Sequence, residues 1–170
     1  MKTLIAYGSK YGTAEKCSKE IAKHITGQVD IVDLKANKEI KLADYDKVII
    51  GSSIYAGGLR KEVKAFYEKN KEILKDKKVA VFISCMAKEN PEQYITNNFD
   101  KDFVNKLIAK CCCGGEYQFS KMNFFERFIV KKITEVAAKK GQGSAVDGKT
   151  DISEMDYNQM KSFAKQVNRA

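Results

Sequence analysis

Apolar runs of strand type alternate with helical patterns from one end of this 170-residue chain to the other, and that alternation restricts the architecture more than any other feature. Thr3–Tyr7 is an apolar run. After it Ala14, Cys17, Ile21 and Ile25 recur at three- and four-residue steps, a helix that stops at Gly27. Residues 29–33 alternate as a second strand, and 47–52 form a third, followed by a helix across 62–74. Residues 78–84 give a fourth strand. Pro91 then opens a helix predicted to carry Phe99, Phe103, Leu107 and Ile108, and a fifth strand is expected over 111–119. A last helix from about Asp156 to Val167 places Tyr157, Met160, Phe163, Ala164 and Val167 on one apolar face. Five strands alternating with helices predict an α/β fold: a five-stranded parallel sheet covered on both faces, with right-handed crossovers.

One element breaks the alternation. Residues 121–140 form an additional amphipathic helix inserted after the fifth strand. With no internal repeat, no low-complexity linker and one proline, residues 1–170 read as one domain. The start, Met1-Lys2-Thr3-Leu4, enters a strand pattern without a charged and apolar leader, and no stretch is long enough to span a bilayer, so a cytoplasmic location is expected. Five cysteines, Cys17, Cys85 and the run Cys111-Cys112-Cys113, have neither metal-ligand spacing nor an even count. They read as buried residues that pack as small hydrophobes. His24, the only histidine, reads as solvent-facing and without a catalytic role.

In an open parallel sheet, ligands bind beyond the carboxyl ends of the strands, near the point where strand order reverses. Three loops leave strands at that edge. The first, Ser9-Lys10-Tyr11-Gly12-Thr13-Ala14-Glu15, joins a strand to a helix through a glycine, which aims backbone N–H groups and the positive end of a helix dipole at one point. It lacks the Gly-Lys-Ser/Thr ending of a nucleotide-hydrolysing loop and the Gly-x-Gly-x-x-Gly spacing of a dinucleotide fold. The second, Ser52-Ser53-Ile54-Tyr55-Ala56-Gly57-Gly58, combines small residues for close backbone approach with an aromatic able to stack on a flat ring. The third, Ser84-Cys85-Met86-Ala87-Lys88, is small and soft. One loop for a phosphate and two for a planar ring describe a mononucleotide site.

These residues resemble a known family. Ser9 to Glu15 is similar to the flavodoxin phosphate loop, and Gly51-Ser52-Ser53-Ile54-Tyr55-Ala56-Gly57 to the flavin-ring loop of flavodoxin-domain proteins. Phe125-Glu126-Arg127-Phe128-Ile129-Val130-Lys131, after the fifth strand and before a glycine-rich segment, resembles the inserted helix of menaquinone-dependent protoporphyrinogen IX dehydrogenases. The resemblance covers essentially the whole chain and implies a flavodoxin-like fold with FMN as cofactor. Ala14 departs from the pattern, standing where a hydroxyl residue contacts the phosphate. Ser9, Thr13 and the N–H groups of residues 10–14 are left to hold it, with Lys10 adding charge, and somewhat weaker FMN retention is expected. Tyr55 is expected to stack on one flavin face, with Met86 or another residue of its loop bordering the other.

With 31 lysines and arginines against 22 acids, the chain carries net +9. This balance favours anionic partners, while lysines spread along every helix also describe an ordinary solvated surface. Nucleic acid is not expected. The family resemblance implies a quinone and an anionic tetrapyrrole-like substrate, whose propionates suit a basic face. On the inserted helix Phe124, Phe125, Phe128, Ile129, Ile133 and Val136 lie among Arg127, Lys131, Lys132, Lys139 and Lys140. That composition fits peripheral contact with the inner face of the cell membrane through residues 124–140. It equally fits a helix packed on its own domain or in a homodimer. Two functions stay open: a quinone-dependent dehydrogenase, and a non-enzymatic electron carrier serving a protein partner. A flavodoxin-like binding module without cofactor is a third.

Overall fold

The computed structural model describes residues 1–170 except 37, 38, 56, 88, 89 and 142. Five parallel strands, β1 (Lys2–Gly8), β2 (Gln28–Asp33), β3 (Lys47–Ser53), β4 (Lys78–Ser84) and β5 (Ala109–Cys112), form a sheet in the order β2-β1-β3-β4-β5. Strand order reverses at β1, which pairs with β2 on one side and β3 on the other. The loops after β1 and β3 therefore diverge to opposite faces and leave a crevice between them.

Strict alternation of side chains across the pleat builds two cores. Leu4, Ala6, Val48, Ile50, Val79, Val81 and Ile83 face one side, covered by α2 (Lys61–Leu74) and by Ile95, Phe99 and Phe103. Ile5, Tyr7, Ile49, Ala80 and Phe82 face the other, covered by α1 (Thr13–Ala22) and by Met160, Phe163, Ala164 and Val167. Gly51 lies opposite Phe82 in the β3–β4 register. A Cβ at Gly51 would stand 2.2 Å from the Phe82 ring, so the missing side chain is the space the ring fills.

Three expectations need correction. The helix predicted after Pro91 is two short ones, α3 (Gln93–Thr96) and α4 (Lys101–Asn105), and the Ile108 N–H donates to Val79 O on the sheet. Phe99 and Phe103 are buried in both arrangements, so apolar spacing did not distinguish one helix from two. The strand expected over 111–119 ends at Cys112. Gly114, at φ +70°, redirects the chain into β6 (Gly114–Tyr117), which pairs antiparallel with β7 (Ile152–Met155) in a separate ribbon. β7 had no sequence signal, being four residues with two polar ones. Tyr157 belongs to the final helix, α6 (Tyr157–Arg169), but is exposed and not on its buried face.

Asp156 caps α6, its Oδ1 accepting the Gln159 N–H at 2.8 Å. Asp156→Ala is expected to lower stability by about 1 kcal/mol, read from the urea midpoint at unchanged slope. At the far end of the same helix the buried Lys47 donates to Val167 O at 2.5 Å, placing a cation at the negative pole of the helix dipole.

The inserted helix, α5 (Phe124–Lys139), packs differently from the rest. Of its sixteen residues only Thr134 is buried. No helix among the described residues is long and apolar enough to cross a membrane.

Candidate functional site

The loop after β1 is shaped by one hydroxyl. Gly12 takes a left-handed conformation, φ +95°, as the residue preceding α1. The buried Ser9 Oγ accepts the N–H of Gly12 at 3.0 Å and of Ala14 at 3.3 Å, holding the turn that leads into the helix. Ser9, Gly12 and Ala14 thus form the frame of the loop. Lys10, Tyr11 and Thr13 present their surfaces to a cavity of about 800 Å³. Thr13 Oγ1 donates to Glu116 Oε2 at 3.2 Å and accepts from Gln118 Nε2 at 3.3 Å, so β6 and the residue after it support the start of α1. Burial opposes the ionisation of Glu116, but Lys16, at 2.8 Å, holds its carboxyl below the usual range.

The same cavity is lined by Ser53, Ile54, Tyr55 and Gly57 after β3, and by Ser84, Cys85, Met86 and Ala87 after β4. Tyr55 and Gly58 exchange backbone hydrogen bonds of 2.9 and 3.1 Å, a tight turn that Gly57, at φ +78°, allows. Ile54 N–H donates to Ser84 O at 2.9 Å and ties the second loop to the third. Ala56, also expected in the site, lies outside the described residues. The topology therefore brings the three loops to one cavity.

The opposite wall was not anticipated as part of the site. Glu126, Ile129, Val130, Ile133, Thr134 and Ala137 of α5 line it, with Met122 and residues 143–146. Glu126 is the junction between α5 and the loops. Its Oε2 accepts the Tyr11 hydroxyl at 2.6 Å and the Asn123 N–H at 3.0 Å; its Oε1 accepts the Tyr55 hydroxyl at 2.8 Å and the ammonium of Lys10. In return the Glu126 N–H donates to Asn123 Oδ1 at 2.9 Å, completing a capping box. The Asn-x-x-Glu spacing before an apolar run was the available signal for this helix start. Lys10, then Tyr11, hold the Glu126 carboxyl at about 2. Burial and then the hydrogen bond to Glu126 push the Tyr11 hydroxyl up to about 12. The Lys10 ammonium also stands 3.9 Å from the centre of the Tyr55 ring, a cation–π contact on a face expected to take a flat ligand.

Two cavity-lining hydroxyls, Ser53 Oγ and Ser84 Oγ, are buried without a hydrogen-bond partner among the described residues. Buried polar groups are normally paired, and a ligand rich in donors and acceptors would pair these. The volume is within the range that encloses a mononucleotide-sized ligand. Small-residue loops, unpaired hydroxyls, a helix start and a lysine match the demands of FMN: a phosphate at one end and a polar-edged flat ring at the other.

Other expectations separate here. Cys17, Cys111 and Cys113 are buried as expected, but Cys85 and Cys112 are only partly buried. His24 is half-buried rather than solvent-facing, with Nε2 3.3 Å from Glu20 Oε1.

A parallel sheet of this order, with a cavity of mononucleotide size at its switch point, defines a flavodoxin-like protein. The chain belongs to the flavodoxin-domain family, which it matches over residues 4–144, and FMN is that family's cofactor. It is 23% identical to the protoporphyrinogen IX dehydrogenase [quinone] of Escherichia coli strain K12, over 98% of this chain and 94% of that protein. It is 24% identical to the Leishmania major protein of the same name, over 96% of this chain and 73% of that one. The flavodoxin of Streptococcus pneumoniae TIGR4 superposes with a TM-score of 0.57 at 18% identity, covering 99% of both chains.

Proposed function

We propose that this chain is an FMN-dependent oxidoreductase that takes hydrogen from an anionic, flat tetrapyrrole of the protoporphyrinogen kind and passes electrons to a quinone. The observation that carries the reading is the position of α5. Its Ile129, Val130, Ile133 and Ala137 give the cavity an apolar wall facing the three loops, which a small shuttle protein exchanging single electrons through a flavin edge does not need. The two relatives named as protoporphyrinogen IX dehydrogenases, aligned over nearly the whole chain, support it.

Bound FMN supplies the two-electron oxidation. The chain's residues bind and orient. Ser9 shapes the turn, Thr13 and the N–H groups at the start of α1 hold the phosphate, and Lys10 balances its charge. Ser53 and Ser84 offer hydroxyls to the ring's polar edge, and Tyr55 borders it. Glu126 stays ionised and Tyr11 protonated at neutral pH, so this pair holds the cradle together without exchanging protons.

Lys10→Ala is expected to weaken FMN binding about tenfold while leaving riboflavin, which lacks the phosphate, nearly unaffected; flavin fluorescence quenching measures both. Equal losses for the two ligands would remove Lys10 from the phosphate site.

Membrane contact belongs to the same proposal, because quinones reside in the bilayer. The outer face of α5 exposes Phe124 (87%), Phe125 (69%) and Phe128 beside Lys131, Lys132, Lys139 and Lys140. Such a face suits anionic lipid headgroups. Lys131→Glu/Lys132→Glu is expected to lose binding to phosphatidylglycerol vesicles, and undiminished binding would refute the contact.

The decisive experiment is an anaerobic assay of FMN-loaded protein with protoporphyrinogen IX and a menaquinone analogue. Porphyrin formation that depends on the quinone supports the enzyme. Rapid flavin reduction by a reductase with no porphyrinogen turnover would make the chain an electron carrier instead.

A further inference from the structure

The cysteine run at the end of β5 is divided by the pleat. Cys111 and Cys113 point into the core beneath α1 and α6, their sulfurs 3.6 Å apart and both residues buried. Cys112, between them, points to the opposite face, where its Sγ lies 3.4 Å from Sγ of Cys85 on the β4 loop. Both of these cysteines are partly exposed. Their surroundings differ: Cys85 lines the cavity of the three loops, and both line a second cavity of about 420 Å³ bordered by Met86, Lys110 and Asp156. Cys85, with Met86, Ala87 and Glu154, therefore borders both cavities, and a second thiol is in contact with it.

We infer that Cys85 and Cys112 form a redox-active dithiol that reduces small disulfides entering the second cavity and is itself re-reduced from the flavin cavity. The inference rests on the FMN reading above for its electron source. Closing a disulfide needs the sulfurs to move from 3.4 Å to about 2 Å.

The chemistry balances in three steps. The Cys112 thiolate attacks one sulfur of the entering disulfide, forming a mixed disulfide and expelling one thiolate, which takes up the proton Cys112 lost. Cys85 then attacks the Cys112 sulfur; the Cys85–Cys112 bond forms, and the second small thiol leaves with the Cys85 proton. Finally the protein disulfide takes two electrons and two protons from reduced FMN and returns to two thiols, leaving oxidised FMN. The sulfur–sulfur contact lowers the Cys112 thiol and raises that of Cys85, which favours Cys112 as the attacking group.

The test uses the full chain loaded with FMN, anaerobic, with flavin and thiols reduced, and bis(2-hydroxyethyl) disulfide as the probe. Flavin absorbance should return on mixing. Alkylation after an acid quench, with flavin reductant limiting, should find Cys85 and Cys112 joined and lighter by two hydrogens, and Cys17, Cys111 and Cys113 alkylated. Cys85→Ser and Cys112→Ser should stay bleached, while Cys17→Ser behaves as the parent. A parent flavin that stays bleached, or Cys85 and Cys112 both alkylated after excess probe, would overturn the dithiol. Failure of added FMN to bind, read by its own fluorescence, would instead refute the cofactor reading, and the thiol map of that same protein still decides whether the pair reacts.

Discussion

Phe82→Ala is expected to lower the stability of the protein by about 3–5 kcal/mol, the range for emptying a fully buried aromatic site. The ring has no exposed surface and sits edge-on to Phe163 of α6, centroids 6.4 Å apart. It also fills the space over Gly51, so truncation opens a cavity against bare β3 backbone that neither strand can close. Urea unfolding at unchanged slope measures the loss. The complementary change, Gly51→Ala, should itself cost about 1–3 kcal/mol by overpacking. Combined with Phe82→Leu it should cost less than the sum of the two single changes, because the smaller side chain makes room for the new methyl. Strict additivity would mean the ring and the glycine do not share that space.

The second large effect concerns the junction of α5 with the loops. Glu126→Gln keeps the shape of the side chain but removes the charge that binds Lys10 and strengthens the bonds from Tyr11 and Tyr55. Hydrogen bonds to a charged group contribute about 1.5–3 kcal/mol, so amides in 124–139 should exchange with solvent at least about tenfold faster than in the parent. The pH dependence has a definite sign. The folded carboxyl lies at about 2, below its ordinary value of 4.5. Its contribution is therefore complete above about 4.5 and is lost as the pH falls toward 2. Protection of α5 in the parent should decline over that window, and in Glu126→Gln it should show no such decline. Equal protection in the two proteins at pH 6 would mean that α5 is held by packing, not by this carboxylate.

Sequence pattern alone was sufficient for the parallel sheet because β1, β3 and β4 are buried on both faces and read as continuous apolar runs. It was sufficient for the three loops because strand ends of such a sheet converge at one edge. It failed where structure depends on a single backbone angle or a distant partner. Gly114 turns the chain out of the sheet through its positive φ, and β7 exists only by pairing with β6. Glu126 was read as part of a family pattern, yet its contacts with Lys10 and Tyr11 span more than a hundred residues, a distance that no local periodicity reports. Cys112 was read with its neighbours as core, although period-two alternation within the run already separates it from Cys111 and Cys113.

Because α5 buries one residue of sixteen, its sequence is nearly uncoupled from the folding of the sheet. Substitutions along Ile129, Val130, Ile133 and Ala137 reshape one wall of the cavity while the two cores stay intact. The scaffold and the cavity wall of this protein can therefore change independently, and a library confined to α5 would vary that wall without sampling unfolded chains.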